Sequence, residues 1–113
     1  MKVFYISHPY TGAEKSNRED AEKITQGLAL AYPQYVFINP LDLMRSQENV
    51  ELDYEDILFQ TIEILRRCNG VIMTGNWTES NGCMKEIQVA LNDGKYIYDL
   101  EHFKKMNKLK EKK

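Results

Sequence analysis

Short runs of alternating or continuous apolar residues take turns along this chain with longer stretches in which apolar residues recur every three or four positions. Lys2–Ser7 (KVFYIS) is β-branched and aromatic and runs into His8-Pro9-Tyr10-Thr11-Gly12, which predicts a strand closed by a turn-forming loop. Ser16 and Glu19 have capping-box spacing ahead of a helix to about Ala31, with Ala21, Ile24, Leu28 and Ala31 on one face. Pro33 ends that helix, and Gln34–Asn39 (QYVFIN) predicts a second strand closed by Pro40. Residues 41–50 are mixed and polar and read as a loop or short irregular turn. From Asp53 to Cys68 the spacing is helical again, with Ile57, Leu58, Ile62 and Leu65 inward, acids first and Arg66 and Arg67 last, as the helix dipole favours. Gly70–Thr74 predicts a compact third strand, Gly75–Asn81 a polar loop, and about Gly82–Asn92 a helix ended by Asp93-Gly94. Lys95–Asp99 (KYIYD) predicts a fourth strand, and a Lys-rich helix follows.

Strands that alternate with helices require right-handed crossovers and a mainly parallel sheet covered on both faces. The expected fold is therefore a small α/β doubly wound, three-layer sandwich with strand order 2-1-3-4. Ligands bind such sheets beyond the carboxyl ends of the strands, where the order reverses. Here that point lies between the first and third strands, flanked by loops 8–18 and 75–86.

Composition narrows the class. With 113 residues, 42% of them hydrophobic, the chain has room for one core, taken as a single domain over 1–103 with a Lys-rich helix end or tail over 104–113. The net charge of −2 divides into +5 from Lys104 onward and −7 before it, and so acidic a body argues against binding duplex nucleic acid. No run is long and apolar enough for a membrane span, and Cys68 and Cys83 are too few and too far apart for a disulfide scaffold or structural zinc. Free thiols fit a cytoplasmic setting. No P-loop, dinucleotide fingerprint or metal-ligand grouping occurs, so neither cofactor nor metal is expected.

The two loops hold the chain's chemistry. Glu86, in the first turn of its helix, either complements the helix dipole or acts as a nucleophile toward a cationic, sugar-like transition state. Ser80 with Gly82 offers either an N-cap or an anion cradle. Arg18 can pair a phosphate or form a surface salt bridge with Glu14 or Glu22. Trp77, and likewise Tyr10, can wall a base, although Trp77 equally suits the core. Tyr5 is a core residue by position, while its neighbours Ser7 and His8 open the crevice.

Y-I-S-H-P-Y-T-G, N-R-E-D-A, I-N-P-L and C-N-G-V-I-M-T-G-N-W-T-E-S-N-G-C-M-K-E-I-Q-V-A-L, in that order to about residue 99, resemble the nucleoside 2-deoxyribosyltransferase-like superfamily. Within it the chain is most similar to the small DUF4406-type branch common in bacteriophages and prophages. The most specific part is G-x-W-x-x-S-x-G-x-x-x-E, Gly75 to Glu86. The resemblance implies a flavodoxin-like fold, cleavage or transfer at an N-glycosidic bond, and a bacterial host cytoplasm for a phage-borne copy. It places Glu86 on the nucleophilic carboxylate and Tyr5 on the tyrosine that orients it. Ser80 falls on a phosphate-side serine, and Arg18 and the 8–12 loop correspond loosely to the phosphate side. Asn39, in I-N-P-L, and Gly75, which opens the signature, join the expected ligand contacts. The chain departs from the pattern at Thr61 in its second helix and at Asn69 just after that helix, positions that usually carry Asp, leaving the source of base activation open.

Two functions of different class follow. One is cleavage or transfer at the N-glycosidic bond of a nucleoside monophosphate, with Glu86 as nucleophile. The other is capture of a nucleotide-derived ligand without turnover, which the Thr at position 61 motivates. A homodimer or higher oligomer is expected in either case, since a partner is the common way to wall an open pocket.

Overall fold

The computed structural model describes residues 1–47 and 52–111. Strand β1 (Val3–Ser7) is followed by helix α1 (Glu14–Ala31), β2 (Val36–Ile38), α2 (Leu41–Ser46) and α3 (Tyr54–Arg66). Then come β3 (Gly70–Met73), a 3-10 turn at Trp77–Glu79, α4 (Asn81–Asn92), β4 (Tyr96–Asp99) and α5 (Leu100–Glu111). The four strands are all parallel in the order β2-β1-β3-β4, as the alternation of elements predicts.

Side-chain alternation divides the core in two. Tyr5, Val71 and Met73 face α3 and α4, meeting Leu65, Cys68, Cys83 and Ala90. Phe4, Ile6 and Ile72 face the other way, onto Leu28 of α1 and Phe103 of α5. This second face is aromatic: the Phe103 ring lies 5.1–6.0 Å from those of Phe4, Tyr32, Tyr35, Phe37 and Tyr98, mostly edge to face. Asn107, one turn beyond Phe103, is buried as well, accepting from Tyr35 Oη and donating to the Phe103 carbonyl.

Several local expectations need correction. Helix α1 begins at Glu14 with Ala13 at its cap, so Ser16 and Glu19 lie inside the helix. Ser16 Oγ instead donates to the Ala13 carbonyl, and Ala31 at the far end is exposed. The expected loop over 41–50 opens with α2, which Asn39 starts by accepting from the Leu41 N–H through Oδ1. Residues 48–50 of that stretch lie outside the described residues.

Candidate functional site

Period-two alternation puts Tyr5 and Ser7 on one face of β1, and both are fully buried beneath α4. Opposite them, Glu86 is 7% exposed and lies in the second turn of α4, not the expected first, because the helix already begins at Asn81. The Tyr5 hydroxyl donates to Glu86 Oε2, and Ser7 Oγ donates to Oε1 at 2.9 Å. Both carboxylate oxygens are thus held by neutral donors from adjacent same-face positions of one strand. Burial pushes the Glu86 carboxyl up from 4.5 to about 7, outweighing the two hydrogen bonds, which favour the charged form. Burial and the facing carboxylate also hold the Tyr5 phenol well above its ordinary value, so this residue remains the donor.

The loops that follow β1 and β3 meet above this floor because the sheet order reverses there. The Thr74 N–H and Oγ1 both donate to the Ser7 carbonyl, at 2.8 and 2.9 Å, which ties the two strand ends together. Gly75 turns with φ +64°, and a Cβ there would stand 3.0 Å from His8 Nε2 and 3.1 Å from the Pro9 ring. Gly75 therefore lets the two loops touch. His8 is buried against it, with Nδ1 2.7 Å from the Pro9 carbonyl and Nε2 2.7 Å from Asp20.

Two openings share this end of the sheet. A narrow cleft of about 70 Å³ reaches Glu86 and Tyr5, walled by Tyr10, Tyr54, Leu58 and Thr61. Beside it a cavity of about 670 Å³ is lined by Gly12, Ala13, Asn17, Glu79, Asn81 and Lys85. Thr11, Tyr54, Ser80 and Gly82 line both. The cleft alone is far below the roughly 300–1,000 Å³ of sites that bury small molecules. The wide cavity has that size by itself, and the cleft that shares four of its lining residues brings in the carboxylate. Ser80 begins α4 as its cap, accepting from the Cys83 N–H at 3.2 Å.

The structure brings Glu86, Tyr5, Ser7, His8, Tyr10, Ser80 and Gly82 to one place. Arg18 reaches this group through Tyr10, whose hydroxyl accepts from Nη2 at 3.3 Å. Trp77 lines neither of these two openings: half-buried in its 3-10 turn, it packs against the core beside α4. Asn39 spends its side-chain oxygen on starting α2, and Gly75 contributes the loop contact with His8. At the positions where Asp was expected, Thr61 Oγ1 donates to the Leu58 carbonyl at 3.0 Å. Asn69 Oδ1 accepts from the Val3 N–H at 2.7 Å, so this residue joins the ends of β3 and β1. Tyr54 and Lys85 are lining residues that the sequence reading missed. Lys85 directly precedes Glu86, and that adjacency was the available signal.

Comparison with known proteins places this architecture. Superposition on a 2-desoxiribosyltransferase from Leishmania mexicana gives a TM-score of 0.62 at 18% identity, covering 88% of this chain and 63% of that one. A 2-deoxyribosyltransferase from Bacillus psychrosaccharolyticus gives 0.56 at 13% identity, covering 86% of this chain and 70% of that one. The fold is thus shared with deoxyribosyltransferases, although the chain spans less than two thirds of the length of the Leishmania protein. No curated protein matches the chain. The model of the family described as "Domain of unknown function (DUF4406)" matches residues 1–99, and the chain belongs to that family.

Proposed function

We propose that this protein acts on a nucleoside or nucleotide and cleaves or transfers its N-glycosidic bond, with Glu86 attacking the anomeric carbon. The observation that carries the reading is the carboxylate itself, held on both oxygens by Tyr5 and Ser7 at the inner end of a crevice at the strand-order reversal. The shared fold of the two transferases named above supports the same class of ligand.

A carboxylate so placed stabilises an oxocarbenium-like centre and divides one hard displacement into two easier ones through a glycosyl ester. Tyr5 and Ser7 fix its rotamer and keep an attacking oxygen directed at the cleft. A titration point near 7 leaves a large ionised fraction at neutral pH. The wide cavity receives the 5′ side, where Lys85 and the amino end of α4 suit a phosphate.

The test is to incubate the protein with nucleoside and deoxynucleoside monophosphates, alone and with a second base as acceptor, and to quantify free and exchanged base by chromatography. Base release or exchange is expected, and Glu86→Gln should lower it by about 10³-fold or more. No release from any member of the panel, or a Gln variant equal to wild type, overturns the reading. Ligand recovered intact after hours would instead favour capture without turnover.

A further inference from the structure

The reading of Glu86 as the group facing the anomeric carbon leaves the departing base to be explained, and the cleft walls bear on it. A neutral purine or pyrimidine leaves with the bonding pair on a ring nitrogen, and its departure needs a proton from a nearby acid. Among the described residues lining the narrow cleft, Glu86 is the only carboxyl group. The other titratable groups there are Tyr5, His8, Tyr10, Tyr54 and Cys83, joined across the adjoining cavity by Lys85 and by the exposed Glu79, whose Oε2 accepts from Asn76.

None of the cleft groups presents a strong acid to a base. The Tyr5 proton is directed at Glu86, and both His8 nitrogens are occupied, by the Pro9 carbonyl and by Asp20. Burial pushes the Cys83 thiol up. Tyr10 and Tyr54 offer phenols, which hydrogen-bond to a ring but are weak acids as a class. Thr61, which lines the cleft close to the Tyr5 hydroxyl, gives its hydroxyl proton to the Leu58 carbonyl. The carboxylate in turn is buried with two neutral partners, so the positive charge that best complements it is one the ligand carries.

From these two observations we infer that the substrate is a nucleotide whose base is already cationic at the glycosidic nitrogen, chemically a pyridinium nucleotide. The step balances without an acid. A Glu86 oxygen forms a bond to C1′ as the C1′–N⁺ bond breaks, and the bonding pair stays on nitrogen, which leaves as a neutral pyridine. Water then displaces the carboxylate at C1′, giving the free sugar phosphate and releasing one proton to solvent. The leaving group's positive charge lies beside the anomeric carbon, within reach of the one buried carboxylate of the cleft.

The experiment compares wild-type protein on nicotinamide mononucleotide and adenosine monophosphate, which share a ribose 5′-phosphate and differ in the charge of the base. Rates of nicotinamide and adenine release are read by chromatography after subtraction of the protein-free rate. General acids contribute about 10²–10⁴-fold, so nicotinamide release at least ~100-fold faster than adenine release is expected, lost in Glu86→Gln. Adenine released as fast as nicotinamide overturns this inference and leaves the glycosidic reading standing. Release of neither from these or any deoxynucleotide overturns both. Thr61→Asp supplies a second carboxyl group to the cleft and should raise the adenine-to-nicotinamide ratio at least ~10-fold; a folded variant with an unchanged ratio counts against the inference. Should that variant not fold, the wild-type ratio decides alone.

Discussion

The floor of the narrow cleft and the wall of the wide cavity are built in opposite ways. On the floor, Tyr5, Ser7 and Glu86 come from positions about 80 residues apart in the chain, are buried, and bond to one another. The wall is made of loop ends and first turns, such as Gly12, Ala13, Asn81 and Lys85, all exposed. An interlocked floor can hold a reacting atom in place, whereas an open wall discriminates by charge and size. Changes on the floor should therefore act on the chemical step and on folding, and changes on the wall on affinity.

The largest effect that distinguishes the two regions is on stability. The Glu86 carboxyl titrates near 7 in the fold against 4.5 when exposed, so its raised folded value favours the folded state at low pH. That contribution is complete below about pH 4.5 and is lost as pH rises through 7, amounting to about 3 kcal/mol. Urea unfolding between pH 5 and pH 8 should show most of this loss in wild type and little of it in Glu86→Gln. Parallel profiles for the two proteins would mean that the floor is as wet as the wall.

Next in size is Tyr5→Phe. A hydrogen bond to a charged group contributes about 1.5–3 kcal/mol, and this one favours the ionised carboxylate. Its removal should raise the Glu86 value by on the order of one unit and move the acid limb of the pH–rate profile the same way. At pH 7 base release should fall at least about fivefold, and much of it should return at pH 8.5. An acid limb that stays put would assign Tyr5 to packing alone. The smallest effect is expected on the wall: Lys85→Ala should raise KM for a 5′-phosphorylated substrate about fivefold and barely alter kcat. A loss in kcat instead would place Lys85 with the floor.

The legible parts of the molecule were those with a strong local period or a fixed place in the topology. Apolar β1 and β3, alternating with helices, required a buried parallel sheet, and the strand order then put loops 8–18 and 75–86 together. The pairing of Tyr5 with Glu86 came from the resemblance; no spacing rule connects residues so distant in sequence. Helix α2 escaped because its six residues are too few for a helical period to show, and its start depends on Asn39 bonding locally. Ser16-x-x-Glu19 misled because cap-forming residues also occur inside a first turn, where Ser16 finds a backbone carbonyl of its own. Trp77 was ambiguous on physical grounds, since an indole in a polar loop can cover a ligand or a core, and here neighbouring α4 supplied the core.

Helix α5 gives the back of the sheet its keystone. The family match stops at residue 99, yet Phe103 is the ring on which Phe4, Tyr32, Tyr35, Phe37 and Tyr98 converge. A fragment cut at the edge of the match would lay bare a greasy aromatic bowl directly behind Tyr5, the neighbour of Phe4 in β1. The segment that the family match covers and the segment that closes this core are therefore different lengths of this polypeptide.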